Sequence, residues 1–156
     1  MNVGLRRLGD EELPAFRESS EHGYIESIEK AGGMPREFAV EKARRDFEAL
    51  WPDGKPLPDQ LIYAVEADGE RVGYLWLAER ENQGRKVIWI YDVEIDEAHR
   101  GRGLGRQAML LVEQEARVRG LGRVELNVFG GNEVARNLYR SLGYEESAVW
   151  MGKDLE

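Results

Sequence analysis

Midway along the chain stands the run Arg100-Gly101-Arg102-Gly103-Leu104-Gly105-Arg106, three glycines interleaved with three arginines. Glycines at this density remove the side chains that would hold an anion away from the backbone. Guanidinium groups add positive charge in a planar fork that matches phosphate oxygens in pairs. A strand-like run precedes the segment and helical spacing follows it, so successive N–H groups and the helix dipole converge on one point. An anion is the natural occupant, and pyrophosphate suits the run better than a single carboxylate. A tight strand-to-helix turn that is merely glycine-rich would share the same glycines, and the glycine pattern alone does not separate the two.

Two familiar phosphate loops are excluded by identifiable residues. A Walker loop needs Lys and then Ser or Thr after its last glycine, whereas Arg106 and Gln107 follow Gly105. The dinucleotide fingerprint would need glycine at the place of Arg106, and it follows the first strand of a βαβ unit rather than a strand in mid-chain.

Other residues could move protons. Asp92 and Glu94 alternate onto one face of an otherwise apolar run, where carboxylates are costly unless paired, hydrated or functional. A salt bridge to a nearby arginine or a solvent-facing edge is the alternative for each, and a bulge would change which of them faces a cleft. Tyr139 is a phenol on helical spacing that periodicity alone assigns to a core stripe. Asn132 reads as a helix N-cap, a role compatible with touching a ligand. Asn127 sits in an apolar strand and needs a partner, either a ligand or an internal hydrogen bond. His22 and Tyr24 are weaker candidates on the early helices, and His99 reads as a loop residue. There is no cysteine, hence no thiolate nucleophile, disulfide or thiolate metal site.

The elements that must hold these residues follow from pattern. Val3 to Leu8 predicts a strand, and Asp10 is the expected N-cap of a first helix carrying Leu13, Phe16, Ile25 and Ile28. Gly32 and Gly33 end it and Pro35 opens a second helix through Leu50. A proline-rich loop leads to a hairpin, Leu61 to Ala67 and Arg71 to Ala78, turned at Asp68-Gly69. Val87 to Ile95, nearly all β-branched or aromatic, predicts a central strand. Gly103 to Arg119 then predicts a helix with an apolar stripe, and Arg123 to Phe129 a strand. The last helix is expected to bury Val134, Ala135, Leu138, Tyr139 and Leu142 before Gly143, and the tail to Leu155 to add one or two edge strands. Core is the expected place for Met34, Phe38, Trp51, Trp76 and Trp150.

With 156 residues the expectation is one domain, 1–156. A net charge of -8 argues against nucleic acid and anionic membrane as partners. No stretch has the length of a signal peptide or a membrane span, and the absence of cysteine fits a cytoplasmic protein.

Taken together, Arg100, Gly103 and Gly105, then Asn132 at a helix start, Leu138-Tyr139 and Gly143-Tyr144, resemble the signature of the GCN5-related N-acetyltransferase (GNAT) superfamily. The likeness is specific from about Val87 to Tyr144 and topological before that. It implies an α/β (α+β) fold with a mixed, mostly antiparallel sheet of six to seven strands and four helices, in the order β-α-α-β-β-β-α-β-α-β(-β). It also implies acetyl-CoA as cosubstrate and no metal, with Gly101 to Arg106, including Arg102 and Leu104, on the pyrophosphate. Backbone groups of Val93 and Ile95 would then hold the pantetheine arm where two strands part at a bulge, and Asn132 would touch the coenzyme. Tyr139 matches the family's proton donor, while Asp92, Glu94 or a water chain would deprotonate an amine-bearing acceptor, small molecule or peptide. A non-catalytic acyl-CoA-binding module and a protein-modifying enzyme remain alternatives, and exposed edges allow a homodimer.

Overall fold

A computed structural model describes residues 1–156. The elements are β1 (Val3–Arg7), α1 (Leu13–Gly32), α2 (Arg36–Leu50), β2 (Gln60–Ala67), β3 (Glu70–Asn82), β4 (Arg85–Ile95), α3 (Leu104–Val118), β5 (Val124–Leu126) and α4 (Glu133–Ser141). The strands lie in the order β1-β2-β3-β4-β5, antiparallel except for the β4–β5 pair, which is parallel. The expected fold class and helix count hold, but the sheet has five strands and the tail adds none. After Tyr144 the chain runs exposed and irregular, with Trp150 fully in solvent rather than in the core.

Period-2 alternation divides the apolar residues between two faces. Leu75, Leu77, Ile88 and Ile90 point to α3, meeting Leu104, Ala108, Met109 and Val112. The opposite face carries Ile62 and Trp76 against Phe16 and Phe47 of α1 and α2 and Trp51 beyond them. The aromatic cluster there is tight: Trp76 stacks on Tyr91 with ring centroids 4.7 Å apart and meets Phe47 at 5.5 Å. Of the large residues assigned to the core, Trp51 and Trp76 are buried, whereas Phe38 lies exposed on the outer face of α2.

Helix ends depart from pattern in instructive ways. Asp10 does not cap α1; the helix begins two residues later than expected, with Glu12 in the capping position and Pro14 just inside. Glu12 instead accepts the Gly9 N–H at 2.8 Å and binds Arg6 at 3.0 Å, tying the helix entry to β1. Asn132 does cap α4, accepting the Ala135 N–H at 3.3 Å. Val134, expected on the buried face of that helix, is 85% exposed, while Ala135 beside it is partly buried.

Candidate active site

One extra residue in β4 creates the site. Trp76 pairs with Asp92 and Leu77 with Ile90, so Tyr91 has no partner across the ladder and forms a bulge. Strict alternation would send Asp92 to the α3 side together with Ile90. Tyr91 points to the α1 side, the bulge turns Asp92 to that side as well, and Val93 resumes the α3 side. The sequence left open which carboxylate would be redirected; the bulge brings both Asp92 and Glu94 round to face α1.

At the same level the sheet parts. β5 follows β4 through only three pairs, Ile88–Val124, Trp89–Glu125 and Ile90–Leu126, although β4 continues to Ile95. Beyond Ile90 the edge of β4, with Val93 and Ile95, has no strand beside it on that flank, leaving a slot with unpaired main chain. On the other flank β3 and β4 approach closely at Gly73, where a Cβ would lie 2.1 Å from the Glu94 carbonyl oxygen. Only glycine fits there, and the close approach fixes the end of β4.

The slot opens onto the arginine-glycine loop. Gly101 and Gly103 have φ of 77° and 76°, the left-handed region open to glycine at little cost. With Gly103 in the capping position, α3 starts without a side-chain cap. The N–H groups from Gly101 to Arg106 find no acceptor in the chain, and they lie at the positive end of the α3 dipole. A Cβ at Gly105 would lie 3.4 Å from Leu138 Cδ2, so α4 closes over this turn.

The loop arginines differ in their tasks. Arg100 folds back along the surface and its Nε donates to the Ile95 carbonyl at 2.9 Å, pinning the loop to the end of β4. Arg102 contacts only His99 Nδ1 at 3.1 Å and Met1 Sδ at 3.3 Å, and Arg106 donates to Ser141 Oγ. None of them pairs with a carboxylate, although the chain has 30 acidic residues against 22 basic ones. Unneutralised guanidinium groups beside unpaired N–H donors offer an anion both charge and hydrogen bonding.

Asp92 is the carboxyl pushed furthest upward. Burial pushes it up from 3.8 to about 6, the neighbouring Glu94 charge adds to the rise, and a hydrogen bond from Ser20 opposes it. That bond, Ser20 Oγ to Asp92 Oδ2, is 2.7 Å long. Glu94 is half-buried and also shifted upward, by burial and by Asp96, against the pull of Arg100 and Arg71. Tyr139 is shifted upward by burial and then by the Asp92 charge, so the phenol keeps its proton. Its ring packs against Tyr144 at 6.0 Å while its hydroxyl has no partner in the chain. Asp92 and Tyr139 belong to opposite sides of the sheet, yet they sense one another where the strands part.

Other sequence candidates lie elsewhere. His22 is exposed beside Glu26, and Tyr24 donates to Asp46 at 2.7 Å, bracing α1 on α2. Asn127 lies exposed past the end of β5, in an open cavity of about 530 Å³ shared with Val149, Trp150 and Met151, and makes no internal hydrogen bond. Sequence reasoning missed Ser20, Tyr91 and Gly73: a helical serine and a strand glycine carry no motif, and a bulge has no signature in an apolar strand.

This topology, parted strands leading into a glycine-rich helix start, is that of the acetyltransferases. The Acetyltransferase (GNAT) family profile matches residues 25–144, and the chain belongs to that family, whose members are acetyl-CoA-dependent acetyltransferases. Over 156 residues the chain is 32% identical to the uncharacterized N-acetyltransferase YdgE of Bacillus subtilis, covering 99% of each protein. YycN from the same organism is 30% identical over 156 residues. Its crystal structure superposes with a TM-score of 0.91 over 99% of each chain. A more distant relative, the L-methionine sulfoximine/L-methionine sulfone acetyltransferase of Pseudomonas paraeruginosa, is 27% identical over 94% of this chain and 83% of its own length.

Proposed function

We propose that the protein moves the acetyl group of acetyl-CoA to a primary amine by direct attack in a ternary complex. The observation that carries this reading is the run of partnerless N–H groups from Gly101 to Arg106, set where β4 parts from β5. Such a run fits a pyrophosphate, and the unpaired edge at Val93 and Ile95 fits an extended amide-bearing arm. Arg100 holds the two parts in register.

Each protein group then has a task. The main chain near Ile95 polarises the thioester carbonyl, whose oxygen gains charge as the amine nitrogen bonds to carbon. Asp92 takes the proton that the amine must lose, directly or through water, and a carboxyl held near pH 6 is well matched to that task at neutral pH. Glu94, on the same face, is the second candidate for the base. As the carbon–sulfur bond breaks, its electron pair stays on sulfur, and Tyr139 supplies a proton to the thiolate before recovering one from solvent. Asn132 caps α4 and so places Tyr139.

The test is release of free thiol from acetyl-CoA across polyamines, aminoglycosides, basic peptides, amino acids and their derivatives. The named substrates of the methionine sulfoximine relative favour including the last group. Turnover on at least one amine supports the proposal. Tight acetyl-CoA binding with no turnover on any amine would replace it with a binding module.

A further inference from the structure

The inner stripe of α1 reads Phe16, Ser20, Tyr24, Ile28, spaced by one helical turn each. Three of these are large and pack into apolar clusters. Ser20 breaks the pattern, and it is 6% exposed, one of two buried polar residues in the chain. The other, Gln60, has a structural duty, accepting the Trp76 indole N–H at 2.8 Å. Ser20 gives its hydroxyl to Asp92 Oδ2 at 2.7 Å, across 72 residues of sequence.

A part-buried carboxyl on the α1 face needs a donor to hold its charge and orientation. Around Asp92 the facing groups are few. Glu94 on the same strand repels its charge, Tyr139 of α4 lies within its field, and the cross-strand neighbour on β3 is the uncharged Trp76. On α2, Asp46 is occupied by Tyr24 and Lys42. No cation pairs with Asp92, so Ser20 is the side chain that favours its ionised form. A serine hydroxyl in mid-helix can also turn to the carbonyl four residues back, which lets it release Asp92 when that group takes a proton.

We propose that Ser20 is a positioning residue for acetyl transfer: from α1 it orients the Asp92 carboxylate and holds it ionised to receive the amine's proton. This rests on the reading of Asp92 as the base.

The test uses the full-length protein with 13C-labelled aspartate, following the Asp92 carboxyl by NMR against pH, with Asp92→Asn identifying its resonance. In parallel, kcat/KM is measured against pH with acetyl-CoA and whichever amine of the panel turns over fastest. Ser20→Ala should raise the Asp92 midpoint by about one unit and carry the acidic limb of kcat/KM up with it. That is roughly a tenfold rate loss below the limb, since one unit is a factor of ten. The KM for acetyl-CoA should stay the same, and Ser20→Thr should restore midpoint and limb. An unmoved midpoint in Ser20→Ala overturns the role of Ser20 alone, leaving Asp92 as base if Asp92→Asn abolishes the limb. A midpoint that moves while the limb stays fixed, or a limb that survives Asp92→Asn, overturns the assignment of Asp92 and the role of Ser20 with it. Should Ser20→Ala not fold, Ser20→Cys, which keeps the size but is a weak donor, answers the same question by the same midpoint.

Discussion

Replacing Asp92 by Asn should make the protein more stable and less active, and the size of the gain depends on pH in a way that can be worked out. The folded state raises the Asp92 pKa from 3.8 to about 6. A group with a raised folded pKa contributes stability below its unfolded pKa and loses that contribution as pH rises through the folded value. With about 1.4 kcal/mol per unit, the ionised carboxylate weakens the fold by roughly 3 kcal/mol above pH 7, by about half of that at pH 5, and negligibly below pH 4. Asparagine stays neutral throughout and its carbonyl oxygen can still accept the Ser20 hydroxyl. The difference in unfolding free energy between the two proteins should therefore rise from near zero at pH 3.5 to about 2–3 kcal/mol at pH 8, or roughly 5–10 °C in Tm. Urea titrations of both proteins at pH 3.5, 5 and 8 measure it, and comparing the pair cancels the other carboxylates. Equal stability at pH 8, or a difference that does not change with pH, refutes the reasoning. A gain in stability with a loss of turnover is the mark of a group kept for chemistry at the expense of the fold.

Three other outcomes follow from the geometry. Tyr139→Phe should fold normally, because the hydroxyl bonds to nothing in the chain, yet lower kcat by about 10²-fold or more; unchanged kcat at saturating substrates removes Tyr139 from the mechanism. Gly73→Ala would place a methyl group 2.1 Å from the Glu94 carbonyl, so chemical denaturation should show a loss of about 1–3 kcal/mol, while wild-type stability would mean that β4 yields freely at this point. Arg102→Ala should weaken acetyl-CoA binding by about three- to tenfold in calorimetric titrations at low salt, with the deficit shrinking at high salt; a salt-independent loss would point to altered loop structure instead of lost charge.

Much of this was legible in the chain because the relevant signals are local. Gly103 ending a strand-loop and opening α3, Asn132 opening α4 and Asp68-Gly69 turning the hairpin each depend on backbone chemistry a few residues long. What escaped depends on packing across distance. The bulge at Tyr91 is one extra residue between Ile90 and Asp92, and no residue pattern marks where along β4 it falls. Ser20 looks like any helical surface serine until α1 is laid on β4. Val134 fits the apolar spacing of α4 yet lies in solvent, and Trp150 fits a strand that the tail does not form. Periodicity reports which face a residue shares, and not whether a neighbour covers that face.

The short β4–β5 ladder has a thermodynamic meaning. A sheet that ceases to pair after Ile90 and Leu126 while one strand runs on to Ile95 is a fold left unfinished by its own chain. On the proposed reading, the donor completes it, and folding and recognition then draw on one free energy. At a hundredfold excess over Kd the bound state gains about 2.7 kcal/mol. That gain should concentrate in β5 and α4, whose amide hydrogens would exchange quickly in the free protein and slowly in the complex. Affinity for the donor and rigidity of the last third of the chain are thus one quantity observed in two ways.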